Sequence, residues 1–234
     1  MKIHPEAIYA IFAALFFGLA TPIAKLLITD VSPQILAGLL YVGSGLGLLA
    51  FYGVTRLFKR NSQGHHPIQT PDLPWLAGAI VFGGVIGPVL LMHGLLSTPA
   101  SMASLLLNLE SVITALLAWF IFKEHFDRRI FIGMICIALG SLLLSWPNKL
   151  NATFPWGALA IAGACFCWGI DNNLTRKISA NDALQVACIK GLVAGVVNLG
   201  IALSLGYKLP DFLVGLSAAS IGLFGYGISL VLRV

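Results

Sequence analysis

The sequence predicts an all-α polytopic membrane protein, and three observations carry that fold class. The 234 residues are 58% hydrophobic and only 10% charged, with a mean hydropathy of +0.92, whereas soluble domains carry about 25% charged residues. The apolar residues gather in eight runs, each near the ~20 residues that a bilayer-crossing helix needs. Turn formers separate the runs, which leaves room for short loops and no sizeable soluble domain. A water-soluble globule and a disordered chain are both excluded.

The first run, Ala7–Ile28, follows Lys2 like a secretory leader. It is too long for one and further spans follow at once, so it reads as a retained signal-anchor helix. Ser32-Pro33 closes its loop and opens Gln34–Leu57. Within that second run Gly43-Ser-Gly45-Leu-Gly47 has no strand before it and no Lys-Ser/Thr after it. It therefore fails the context of a phosphate loop and suits close helix contact through small residues. Pro71-Asp72-Leu73-Pro74 precedes Trp75–Leu96, and Pro99 precedes Met102–Phe122. Ile130–Trp146 ends at Pro147-Asn148. Trp156–Leu174, Ala183–Leu205 and Phe212–Leu232 are parted by Asn181-Asp182 and Pro210-Asp211. Pro22 and Pro88 lie inside spans, where they can kink the helix and free carbonyls toward a cavity.

Charge orients the chain. With the N-terminus inside, Lys2, Arg56, Lys59, Arg60, Lys123, Arg128, Arg129, Arg176, Lys177 and Arg233 all fall on the cytoplasmic side. Only Lys25, Lys149 and Lys208 fall outside, and Lys190 sits within a span. The positive-inside rule then predicts a multi-pass protein of the cell (inner) membrane with its N-terminus in the cytoplasm. The formal net charge of +5 reports this orientation and no nucleic-acid partner. Cys136, Cys165, Cys167 and Cys188 lie in apolar runs without a CxxC pair. They read as small buried hydrophobes, so no metal and no cofactor are expected. The loop pair His65-His66 reads as solvated, and the Asn151-Ala-Thr153 sequon is discounted in so loop-poor a chain.

The first and sixth spans resemble each other. Phe17-Gly18-Leu19 is followed by Lys25, and 151 residues later Trp168-Gly169-Ile170 is followed by Arg176. Gly45 pairs with Gly195 at an offset of 150, and Gly84-Val-Ile-Gly87 with Gly222-Leu-Phe-Gly225 at 138. The copies start five spans apart, an odd number, so the second enters the membrane from the opposite side. Such inverted repeats are a frequent plan of secondary transporters, with the solute site near the midplane between them.

Residues 7–231 resemble the EamA-type branch of the drug/metabolite transporter superfamily. The resemblance is carried by Thr114-Ala-Leu-Leu-Ala-Trp-Phe-Ile-Phe-Lys-Glu124, similar to the family's fourth helix, and by the helix ends Gly18 with Lys25 and Trp168-Gly169 with Arg176. Lys123 stands where the family usually has glycine. The resemblance implies inverted five-helix repeats: a complete first repeat at 1–150, and at 151–234 a partial second repeat of three helices. Eight transmembrane helices are thus expected, and the chain reads as C-terminally truncated against the ten-helix pattern.

Ionisable residues in hydrocarbon cost roughly 2.5–3.5 kcal/mol each on insertion scales, so each one needs a reason. Glu110 lies near the midplane of the fourth span, with Asn108 and Ser111 beside it. It is either a cavity carboxylate that binds a cation or carries a proton, or a structural group bonded to a neighbouring helix. Asp171 and Lys190 lie about nine residues to either side of the turn near 180, hence at one depth in an antiparallel helix pair. They form either a structural ion pair or, with Asn172 and Asn173, part of a solute or proton path. His93 near the outer end of the third span is ordinary for an interface.

The sequence lacks HExxH, GxSxG and a Cys–His pair at one depth, so an enzyme is not expected. The expected activity is alternating-access transport of small metabolites, amino-acid-like or amine solutes, in the export direction. The alternative is a transport-incompetent fragment or partner subunit. Expected partners are a small-molecule substrate and the lipid bilayer, with a homo-oligomer possible in principle.

Overall fold

A computed structural model describes residues 5–58, 68–123, 127–144, 156–179 and 181–229. Lys59, Arg60, the His65-His66 pair, Glu124, Pro147-Asn148, Lys149, the sequon at Asn151 and Arg233 lie outside the described residues.

The described chain forms eight helices, with no β-strand among the described residues. The first spans Pro5–Leu27 and the second Pro33–Phe58. The third is continuous but changes winding: α-helical over Leu73–Ala79, π-helical over Ile80–Ile86, and α-helical again over Gly87–Ser97. The fourth is broken into Ala100–Leu106 and Leu109–Phe122. Arg128–Leu144, Trp156–Lys177 and Ala183–Ser204 follow as the fifth, sixth and seventh. The eighth runs through Phe212–Gly222 into a π-helical stretch, Leu223–Ile228.

Four stretches are long and apolar enough to cross a bilayer by length and composition alone: Pro33–Val54, Thr70–Ser97, Ala100–Ile121 and Ala183–Ser204. Ile11–Leu27 and Phe212–Ile228 are apolar but shorter. The fifth helix has 17 residues, and the sixth is diluted by Asp171, Asn172 and Asn173. Its outer surface supports the same environment. Tyr9, Ile11, Phe12, Leu15 and Leu26 of the first helix are exposed, as are Ile130, Phe131, Ile132 and Leu143 of the fifth. Contiguous apolar surface on this scale is rare against water and ordinary against lipid.

Local chemistry sets the ends. The Asp182 side chain accepts from the backbone N–H of Leu184 at 3.0 Å and of Gln185 at 3.2 Å, capping the seventh helix. Gly206, at φ +83°, takes the left-handed turn just after it. The Lys25 ammonium donates to the carbonyls of Leu95 and Leu96, the open end of the third helix.

The packing has a pseudo-two-fold pattern. The second helix lies along the seventh, the third along the sixth, the eighth along the first, and the second and seventh also meet the eighth and third respectively. Exchanging first for sixth, second for seventh and third for eighth reproduces each contact. A Cβ on Gly45 would stand 2.5 Å from Leu192 N, and one on Gly191 would stand 2.8 Å from Gly45 Cα. Second and seventh helices thus touch backbone to backbone, where only glycine fits.

One register shifts. Gly84 meets Ala194 and Gly227 meets Ser44, and Ser44 and Ala194 share the 150-residue offset of Gly45 and Gly195. Gly84 therefore corresponds to Gly227, an offset of 143, as do the π-helical starts Ile80 and Leu223. The 138-residue offset aligned one Gly-x-x-Gly spacing on another and falls five residues short of the register that the packing shows.

The main apolar core gathers at one end of the bundle. It holds Ala24 and Ile28, Leu36 and Leu40, Leu91 and Leu95, with Ile161, Ala202 and Ala218. These lie where the first, third and seventh helices finish and the second, sixth and eighth begin. At the opposite end only a small cluster forms around Leu76, Ile178 and Val186.

Candidate functional site

Where that opposite end is thinly packed, a cavity of about 490 Å³ enters between the first, second, sixth, seventh and eighth helices, reaching Glu110 of the fourth. Its size falls in the range of small-molecule sites, roughly 300–1,000 Å³. Ser179, Asn181 and Ala183 line its mouth, and Phe17, Tyr41 and Tyr226 line its inner end. The Asn181 amide donates to Asp72 at 2.8 Å, tying the turn after the sixth helix to the start of the third.

Charge of both signs faces the cavity. Lys190 Nζ donates to Asp171 Oδ1 at 2.5 Å, and the two side chains are 17% and 11% exposed. Thr175 Oγ1 donates to the same carboxylate oxygen at 2.9 Å and lies 3.2 Å from Lys190 Nζ. The pair is therefore neutral as a unit, hydrogen-bonded, and set in a wall that water can reach. Gly83 makes this possible, since a Cβ there would strike the Asp171 carboxylate. Across the cavity, Asn172 Nδ2 donates to Glu110 Oε1 at 2.9 Å and reaches Thr114 Oγ1 at 3.2 Å. Arg176 also lines the wall.

Glu110 owes its place to the break in the fourth helix. Leu107 and Asn108 interrupt the α-helical ladder, and the carbonyls near the break find other donors. Asn108 Nδ2 and Ser141 Oγ both donate to Leu105 O at 3.1 Å. Cys165 Sγ donates to Leu106 O at 3.6 Å. Glu110 then falls in the first turn of Leu109–Phe122, where the helix dipole favours a negative group. Broken helices whose ends face a cavity are a recurring means of holding polar solutes in membranes.

The third helix supplies the second device. Pro88 has no N–H, so the carbonyls of Gly84, its α-helical partner, and Gly83, its π-helical partner, lack their usual donor. Tyr41 Oη donates to Gly83 O at 2.7 Å and Trp168 Nε1 to the same oxygen at 3.0 Å. Asn198 Nδ2 donates to Gly84 O at 2.8 Å, while Gln34 Nε2 donates to Asn198 Oδ1 at 3.2 Å. The second, sixth and seventh helices are thereby fixed to one point of the third. Pro22, in contrast, sits within a continuous first helix.

The structure thus brings Glu110, Asp171, Asn172 and Lys190 to one cavity. Asn108 and Asn173 face a neighbouring hollow of about 680 Å³ that shares Glu110, Asn172 and Arg176 with the first. Asn173 is buried and clamps two helices, donating to Thr114 O at 3.0 Å and Gly169 O at 2.8 Å. His93 bonds Val89 O of its own helix at 2.9 Å, away from the cavity. The sequence marks Phe17 only as part of the repeat and singles out neither Tyr41 nor Tyr226. Phe17 and Tyr226 meet edge-on at 6.0 Å, and Tyr41 lies 6.1 Å from Tyr226. In sequence these rings stand in apolar runs and look like core. No group of three metal-ligating side chains occurs among the described residues.

Comparison with known proteins places this architecture. A protein described as an uncharacterized transporter, from Methanothermobacter thermautotrophicus, is 29% identical over 230 residues, covering 91% of this chain and 67% of the relative. A crystal structure superposes with a TM-score of 0.69 at 17% identity, over 97% of this chain and 77% of the other, a likeness of fold. The profile described as the EamA-like transporter family matches residues 4–146.

Proposed function

The chain belongs to the EamA-like transporter family, and from that premise we propose that it is an inner-membrane secondary transporter exporting small amino-acid-like or amine solutes by alternating access. One observation carries the reading. The cavity offers carboxylates at Glu110 and Asp171, cations at Lys190 and Arg176, and rings at Phe17, Tyr41 and Tyr226, all within one hollow. A zwitterion with an apolar body is the solute such a wall matches. Its ammonium would meet Glu110, its carboxylate the basic side chains, and its body the rings, where edge contacts and cation–π attraction operate.

Orientation is what supports the export direction in this proposal. The mouth lies beside Ser179 and Asn181, next to Arg176 and Lys177, which the positive-inside rule assigns to the cytoplasm. A cavity open there loads from inside the cell, and an N-terminus at the same end is cytoplasmic.

Counterflow in proteoliposomes tests the proposal, with the twenty amino acids and a set of primary amines as labelled solutes. At least one should exchange. Glu110→Gln keeps the oxygen that accepts from Asn172 and removes the charge, so folded yield should stay near wild type. Exchange of the accepted solute should fall about tenfold, as expected for loss of a charged hydrogen bond. No exchange of any amino acid or amine by folded protein would overturn the reading.

A further inference from the structure

The two ends of the bundle are chemical opposites, although the repeat makes them structural counterparts. With the first helix mapped on the sixth at 151 residues and the second on the seventh at 150, Asp171, Thr175 and Lys190 correspond to Ala20, Ala24 and Leu40. The packing agrees to within one residue of the 143-residue register, since a Cβ on Gly83 would meet Asp171 and one on Gly225 would meet Ala20. Ala20, Ala24 and Leu40 are 2%, 0% and 1% exposed, within or beside the apolar core that seals the far end. Asp171, Thr175 and Lys190 instead stand in the wall of the open cavity.

We propose that Asp171, Thr175 and Lys190 form a charge lock that holds the empty carrier open toward the mouth end. The inference rests on the alternating-access reading. In an inverted repeat, closing the mouth gives its residues the surroundings their counterparts have at the sealed end now. Closure would take an ion pair that lines the open cavity, its side chains 17% and 11% exposed, into the dry, close-packed setting of Ala20 and Leu40. Burying an ion pair further loses hydration that its mutual attraction does not fully replace. Opening the far end exposes apolar core to water at the same time. Both effects favour the present state, and the ion pair is the one that substitution can remove without touching the seal. Seating a zwitterion against the pair changes its surroundings before closure, which makes solute the agent that releases the lock.

Two single-cysteine reporters at counterpart positions, Ala187→Cys in the cavity wall and Ala37→Cys in the seal, fully buried, read the state in a background free of native cysteines. With an impermeant maleimide, wild type should react at Ala187→Cys from the mouth side and stay unreactive at Ala37→Cys from the far side. Asp171→Ala with Lys190→Leu copies the sealed end. It should speed Ala37→Cys labelling at least about tenfold and slow Ala187→Cys, a population shift toward the other state. The reversed pair, Asp171→Lys with Lys190→Asp, should keep wild-type rates. If the apolar double variant does not fold, Asp171→Asn with Lys190→Gln reads the same shift. Unchanged labelling rates in folded neutral variants, with wild type exchanging amino acids in counterflow, would overturn the lock and leave transport standing. Unchanged rates together with no counterflow in wild type would overturn the transport reading itself.

Discussion

Lys123 shows how much a single residue can carry. It closes the fourth helix at φ 52° and ψ 36°, the only non-glycine with positive φ among the described residues. A left-handed L-residue costs roughly 1–2 kcal/mol relative to one in its preferred region, and glycine escapes that penalty. Lys123→Gly should therefore raise the melting temperature in detergent by about 2–4 °C, part of the gain being offset by the freer unfolded chain. Thermal unfolding followed by fluorescence checks it, and a lower melting temperature would mean that the lysine side chain contributes more than its backbone costs. The sequence carried a clue, because the family resemblance implies glycine where Lys123 stands, but only the backbone angle explains why that position wants glycine. The Asp171 and Lys190 positions were legible for a similar reason: equal distance from a turn means equal depth in a hairpin. Tyr41 and Tyr226 were not, because rings in apolar runs look alike whether they face a core, lipid or a cavity.

At the scale of the helix, the departures from α geometry matter most, and they were the least legible. Periodicity finds a span but cannot see that Ile80–Ile86 winds as a π-helix or that Leu107 and Asn108 interrupt the fourth. Pro88 and the pair Gly83-Gly84 gave a partial signal for the first. For the second, Asn108 in mid-span was a polar residue with no visible partner until Leu105 O was seen to accept from it. The Pro88 device predicts a compensating pair. Asn198 is 0% exposed, so Asn198→Leu strands Gly84 O and the Gln34 amide in the core, at a cost of roughly 1–3 kcal/mol per unmet group. Adding Pro88→Ala restores an N–H that Gly84 O can accept. The double variant should recover part of the melting temperature lost by Asn198→Leu alone, and one no better than the single would sink the assignment.

Across the whole molecule, the eight-helix, all-α plan was legible because hydropathy acts over many residues and survives local errors. The end at which the cavity opens was not, since both repeats present similar apolar helices and only their packing distinguishes seal from mouth. Orientation has a direct check. In intact cells, and with Cys136 replaced, a cysteine at Gln69 should be protected from an impermeant thiol reagent, whereas one at the exposed Tyr207 should be labelled. The reverse pattern would turn the molecule over and put the same cavity on the outer side of the membrane.

The glycine contact between the second and seventh helices sets how such a molecule could move. With Gly45 and Gly191 in direct backbone contact, the two helices meet there without a long side chain between them. Under the alternating-access reading proposed above, the crossing would serve as a bearing: displacement would be least there and would grow toward both tips, so the first, third, sixth and eighth helices would swing as levers around a common axle. Leverage of this kind would couple the two ends without any chain of side chains running between them. A methyl group added at Gly45, pressed onto Leu192 N, would force the two helices apart at that bearing.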